Sequence, residues 1–139
     1  MGIRRRAREL ALQILYQIDG THEEAGRALA VFFKSFGIQD EARTYCQRIV
    51  SGVSEHREEI DSLIEKYAEN WKIDRMTRID RNILRIGAYE LLYCEDIPPK
   101  VTLDEAIDIG KRFGSEESGA FINGILDRMS QNAERRETG

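Results

Sequence analysis

Four guanidinium groups open the chain: Arg4, Arg5, Arg6 and Arg8 fall within its first eight residues, with no acid among them. Clustered arginines grip phosphate or carboxylate through paired N–H donors, and a helix beginning there adds free backbone amides. A smaller basic pair, Lys111 and Arg112, stands in Gly110-Lys111-Arg112-Phe113-Gly114-Ser115. That hexamer lacks the G-x-x-x-x-G-K-[ST] order of a phosphate loop and follows no strand, so it reads as a helix stop followed by a cap. Asp104, Glu105 and Asp108 have the spacing of a solvated helix face rather than of a catalytic pair. No nucleophile is paired with a base, and Cys46, Cys94, His22 and His56 show no metal-ligand spacing. The chemistry on offer is binding. No catalytic residue, metal or cofactor is expected.

Composition fits this reading. A chain of 139 residues, 41% hydrophobic and 33% charged with two prolines, is one helix-rich domain able to bury a core without disulfides or metals. The formal net charge of −4 hides an asymmetry, a basic start against an acidic remainder. Two separated cysteines suit a reducing compartment, and no apolar run has the length of a signal peptide or membrane span, so a cytoplasmic protein without membrane contact is expected.

The elements that must position these residues are helices. Ile3, Ala7, Leu10, Ala11, Ile14, Leu15 and Ile18 recur at three- and four-residue steps, predicting a first helix from about residue 4 to 19 that Gly20 stops. Thr21 and Glu24 form a T-x-x-E capping box for a second helix, whose buried face is Ala25, Ala28, Leu29, Phe32, Phe33 and Phe36 and which Gly37 ends. With Asp40 as N-cap, a third stripe runs from Ala42 to Val53, and a fourth runs through Ile60, Leu63, Ile64, Tyr67, Ala68 and Trp71. Between them, Ser51-Gly52 and the polar stretch around His56 either separate two helices or bend one. Residues 79–93 are apolar nearly all round, as a central helix should be. After Pro98-Pro99, Thr102 and Glu105 repeat the capping box, and Leu103, Ala106, Ile107, Gly110 and Phe113 line the next helix. Ser115 caps a last helix that has Glu116 and Glu117 in its first turn and buries Phe121, Ile122, Ile125, Leu126 and Met129. No segment alternates as a strand does. The expected fold is all-α, six or seven helices in one domain over 1–130, with a polar tail over 131–139.

At about 100° per residue, Arg4 and Arg8 flank the core stripe of the first helix while Arg5 points away, so the guanidinium groups fan out around its N-terminal end. They either meet phosphates or solubilise the start of the chain. Leu12 and Tyr16 fall opposite the stripe; a leucine and a tyrosine one turn apart on a polar face point to a partner surface, unless another helix covers them. The polar residues of Arg78-Ile79-Asp80-Arg81-Asn82-Ile83-Leu84-Arg85 are either the rim of such a surface or the exposed edge of the central helix.

These segments together resemble one family. They are Arg4-Arg5-Arg6-Ala7-Arg8-Glu9 with Ala11-Leu12-Gln13 and Leu15-Tyr16, then Asp80-Arg81-Asn82-Ile83-Leu84-Arg85 with Tyr89-Glu90-Leu91. Next come Pro98-Pro99-Lys100-Val101 with Asp104-Glu105-Ala106, and Lys111-Arg112-Phe113-Gly114 with Phe121-Ile122-Asn123-Gly124-Ile125-Leu126. From about residue 4 to 130 the chain is similar to the bacterial transcription antitermination factors of the NusB family. The resemblance implies two small helical bundles, no catalysis, and pairing with NusE, a small-subunit ribosomal protein. The pair binds boxA, a short single-stranded RNA signal in ribosomal RNA leaders, and joins the RNA polymerase complex that reads through terminators. Carried over by position, it implies that Arg4, Arg5, Arg6, Arg8, Lys111, Arg112, Glu117, Phe121 and Asn123 face RNA. Leu12, Tyr16, Asp80 and Arg81 would lie at or near the NusE surface. Phe121 is either a stacking platform or core. Both single chains and homodimers fit the family. Two other readings are a helical module of a ribosomal RNA cytosine methyltransferase, for which no sequence remains to build a cofactor domain, and a purely protein-binding adaptor.

Overall fold

Each apolar stripe closes into a helix. The structure, a computed structural model, describes residues 2–38 and 40–132, the side chain of Asp40 excepted. The expected N-cap role of Asp40 and residues 133–139 of the expected tail lie outside the described residues. Among the described residues seven α-helices follow one another: α1 Ile3–Thr21, α2 Ala25–Ser35, α3 Asp40–Glu55, α4 Arg57–Tyr67, α5 Arg78–Tyr93, α6 Pro99–Phe113 and α7 Ser118–Asn132. A 3-10 turn, Ile73–Arg75, links α4 to α5, and there is no strand among the described residues.

Helices α1, α2 and α3 pack on one another as one small bundle, and α4, α6 and α7 pack around α5 as a second. Helix α5 also touches α1 and α3, so it joins the two bundles. Its apolar circumference follows: Ile83, Leu84, Ile86, Ala88, Leu91 and Leu92 are all buried. Each of the isoleucine and leucine side chains contributes about 1.5–3 kcal/mol on leaving water.

His56, at φ −108° and ψ 23°, separates α3 from α4. Gly52 lies inside α3, where a Cβ would strike the ring of Tyr89. It is there to let α3 and α5 approach, not to end a helix.

Both expected capping boxes are corrected by the structure. Helix α1 runs past Gly20 to Thr21, whose hydroxyl donates to the Gln17 carbonyl at 3.1 Å, and it ends at His22 in the left-handed region, φ 60°. Glu24 itself is the N-cap of α2, its carboxylate accepting from Gly26 N and Arg27 N at 3.0 Å each. Thr102 lies within α6, which Pro99 begins from an N-cap at Pro98, a position where the missing N–H costs nothing. Ser115 does not cap α7 with its side chain; its own backbone N–H donates to Ser118 Oγ at 2.9 Å, and the helix starts at Ser118. Residues 131 and 132, expected in the tail, continue α7. Phe36, Trp71 and Phe113, expected in buried stripes, are 51%, 52% and 43% exposed.

Candidate nucleic-acid interface

The arginines of α1 divide into two kinds once the helix is packed. Arg8 is 3% exposed. It donates through Nε and Nη2 to Glu90 of α5 at 2.7 and 3.1 Å, and through Nη1 to Glu105 of α6 at 3.0 Å. The Glu90 carboxylate also accepts from Tyr45 Oη and Thr102 Oγ1, both at 2.7 Å, so four hydrogen bonds from three elements hold this buried charge. Burial, then the adjacent Glu90 charge, pushes the Tyr45 phenol well above its ordinary range. Arg5 pairs with Glu105 and with Asp108, the latter at 2.9 Å, and the Glu105 hydrogen bond holds its guanidinium more firmly protonated than usual. The expected fan of four free guanidinium groups is therefore corrected. Arg5 and Arg8 turn toward acids 82 to 103 residues away in the sequence.

Arg4, Arg6, Lys111 and Arg112 remain exposed. Arg4 lies over the Tyr45 ring at 4.8 Å and 3.5 Å from Asp96. Arg6 has no ion-pair partner among the described residues. Arg112 donates to Glu9 at 3.2 Å and lies over the Phe113 ring at 5.1 Å. Arg6 of α1 and Arg112 of α6 line one groove of about 440 Å³, together with Glu9, Leu10, Leu12, Gln13, Tyr16, Ile79 and Phe113. The two basic sets, far apart in sequence, thus meet. At the end of α6, Lys111 and Arg112 also complement the helix dipole.

The residues expected at a protein partner's surface occupy unequal positions. Tyr16 is 41% exposed, its ring 4.9 Å from the Arg78 guanidinium. Leu12, expected to be exposed, is buried and floors the groove. Asp80 is buried too and accepts from Ser118 Oγ at 2.7 Å, tying α5 to α7. Half-buried Arg81 donates to Asp19 of α1 at 2.7 Å. Asp19 also accepts from Asn82 at 2.9 Å and Arg85 at 3.1 Å, and lies 3.5 Å from Arg57. Burial alone would raise its pKa, but hydrogen bonds from Arg81 and Asn82 and the charges of Arg85 and Arg81 outweigh burial and hold it at about 2. Segment 78–85 divides: Asn82 and Arg85 are buried in this junction and Asp80 is buried against α7, while Arg78 stays exposed beside Tyr16 and Ile79 lines the groove.

Comparison with known proteins decides the family. A model of the NusB family matches residues 5–131. The chain belongs to the NusB family. It is 49% identical over 129 residues to the transcription antitermination protein NusB of Syntrophus aciditrophicus, covering 93% of this chain and 80% of that protein. To the NusB protein of Desulfatibacillum aliphaticivorans it is 50% identical over 129 residues, covering 93% and 90%. Among solved structures, T. maritima NusB superposes with a TM-score of 0.84 at 39% identity, covering 93% of this chain and 91% of that one. A crystal structure of the antitermination factors NusB and NusE in complex with double-stranded RNA matches at TM-score 0.85 and 32% identity, covering 94% and 98%. The NusB family is one of transcription antitermination factors and not of enzymes.

In the NusB-family segment, Asn123 of α7 and Glu117, in the turn just before the helix, are exposed, while Phe121 is half-buried, its ring edge-to-face with Trp71 at 6.0 Å. Trp71, Phe113 and Arg78 are exposed residues that periodicity did not single out as functional. A tryptophan at the end of a helical stripe was the available signal. Cys46 and Cys94 are buried and not joined in a disulfide, and burial pushes their thiols up to about 12 and about 11. Among the described residues no cluster could hold a metal ion, and no helix is long and apolar enough to cross a membrane.

Proposed function

We propose that this chain is an antitermination factor that binds single-stranded boxA RNA in ribosomal RNA leader transcripts, paired with NusE. In the RNA polymerase complex it would help the enzyme pass terminators. The observation that carries this reading is the meeting of Arg6 with Arg112 around a groove that also holds the exposed rings of Tyr16 and Phe113. A basic track with aromatic faces suits unpaired bases, which can stack on side chains; in a duplex they stack on one another, and the narrow major groove admits no side chain. The solved relative that holds NusE and RNA supports both partners.

In this reading Arg4, Arg6, Lys111 and Arg112 meet phosphates, Asn123 and Glu117 meet base edges, and Arg5 and Arg8 hold the helices that carry them. Tyr16, its ring beside the Arg78 guanidinium, faces NusE. The seven helices act as one domain in the bacterial cytoplasm, as single chains or homodimers. Fluorescence anisotropy of a labelled boxA-type RNA tests it. With four exposed cations, log affinity falls with log salt at a slope of about −3, and the double variant Arg6→Ala/Arg112→Ala loses roughly 1.4 of that slope. A flat response in the wild type would contradict phosphate contact.

A further inference from the structure

The chain contains one tryptophan, and it stands half in solvent. We propose that Trp71 is a platform on which a base of the bound single-stranded RNA stacks, an inference that rests on the RNA-binding reading above. Of the RNA-facing set implied by family resemblance, the one aromatic residue is Phe121, and its ring is turned edge-to-face against Trp71. In this pair Phe121 is the half-buried seat and Trp71, 52% exposed, carries the open face.

The platform is held in place. Helix α4 stops at Ala68, and Glu69 takes the left-handed conformation at φ 59°, which turns the chain out of the helix. Trp71 N donates to Ala68 O at 3.4 Å. Two residues further on, Ile73 N donates to the Glu65 carboxylate at 2.7 Å. Arg128 of α7 donates twice to the Tyr67 carbonyl, at 3.1 and 2.7 Å, fixing the end of α4 against the helix that carries Phe121. The same α7 meets the basic end of α6, for the Lys111 stem lies over Gly119. Trp71 is thereby joined through α7 to the cations assigned to phosphates.

The occupant is a nucleobase because a rigid indole face offers stacking to any base, and the local charge adds little. Exposed Lys72 and Arg75 in the same loop are balanced by Glu69 and Asp74. The contribution of Trp71 is therefore not electrostatic and should survive salt.

The test uses the full chain and a single-stranded boxA-type RNA, with binding read by anisotropy of the labelled RNA and, separately, by the fluorescence of the one tryptophan. Stacking predicts quenching that saturates with the anisotropy signal. It also predicts that Trp71→Ala weakens binding roughly 5- to 100-fold with an unchanged salt slope, and that Trp71→Phe restores most of the loss. Circular dichroism of both variants checks that the helices are intact. RNA binding by anisotropy with unaltered tryptophan fluorescence and wild-type affinity for Trp71→Ala would overturn the platform and leave the RNA reading standing. Quenching by NusE alone, with none by RNA, would assign the indole to a protein and overturn it as well. Absence of RNA binding under every condition would overturn both readings together.

Discussion

Replacing Arg8 by alanine removes the guanidinium that makes two of the four hydrogen bonds on Glu90, a carboxylate with no solvent exposure. Tyr45 and Thr102 still donate, yet the charge is left buried without a counter-ion. Breaking a buried pair in this way costs about 3–5 kcal/mol. With 139 residues at roughly 2.1 cal/mol/K each, the unfolding entropy is about 0.3 kcal/mol/K, so the melting temperature should drop by about 10–17 °C. Urea unfolding followed by circular dichroism measures the free energy directly. The apolar double variant Arg8→Met/Glu90→Leu should recover much of the loss, because it removes the stranded charge as well as the pair. Arg6→Ala is the contrast: exposed and without an ion-pair partner among the described residues, it should shift stability by no more than about 0.5 kcal/mol. It should also lower the salt slope of RNA binding by about 0.7, which Arg8→Ala, measured well below its melting point, should leave alone. If Arg8→Ala unfolded within 1 kcal/mol of the wild type while lowering that slope, the division of the arginines into structural and RNA-facing would be wrong.

Three further outcomes follow from other sites. Asp19, held at about 2 in the folded chain against an ordinary 3.8, stabilises the fold above pH 4 by roughly 2 kcal/mol, a contribution lost as pH falls through 2; the deficit of Asp19→Asn in denaturant melts should be constant from pH 7 to 4 and shrink below it. Tyr16→Ala should weaken NusE binding in calorimetry while helicity stays intact, since the ring is on the surface and unchanged affinity would remove it from the partner face. Gly52→Ala should destabilise by about 1–3 kcal/mol, because its methyl group meets the Tyr89 ring between α3 and α5, and a neutral effect in thermal melts would show that the two helices can part cheaply.

The helices were legible because their cause is local. Ile14, Leu15 and Ile18, or Ile122, Ile125 and Leu126, repeat at a spacing that only a helix turns to one side, and all six are buried. What the sequence concealed depends on distant residues. The motif T-x-x-E reads as a cap wherever it occurs, yet Thr102 serves as a donor to Glu90, and Glu24 caps α2 with its own carboxylate. Nothing near Arg5 or Arg8 announces Glu90, Glu105 or Asp108, so the sequence assigns all four arginines to phosphates where the fold makes two kinds. Leu12 and Asp80 misled for the same reason: a wheel places a residue on a face but does not say what covers that face. Family resemblance reached the NusB fold, while Trp71 was visible only as an apolar residue at the end of a stripe.

The most direct test of the account is titration of a labelled single-stranded boxA-type RNA with this chain alone and with NusE, against a scrambled RNA, at two salt concentrations. Binding should prefer boxA, tighten with NusE and weaken at the higher salt. Equal affinity for boxA and scrambled RNA with and without NusE, or no binding in any arm, would contradict it.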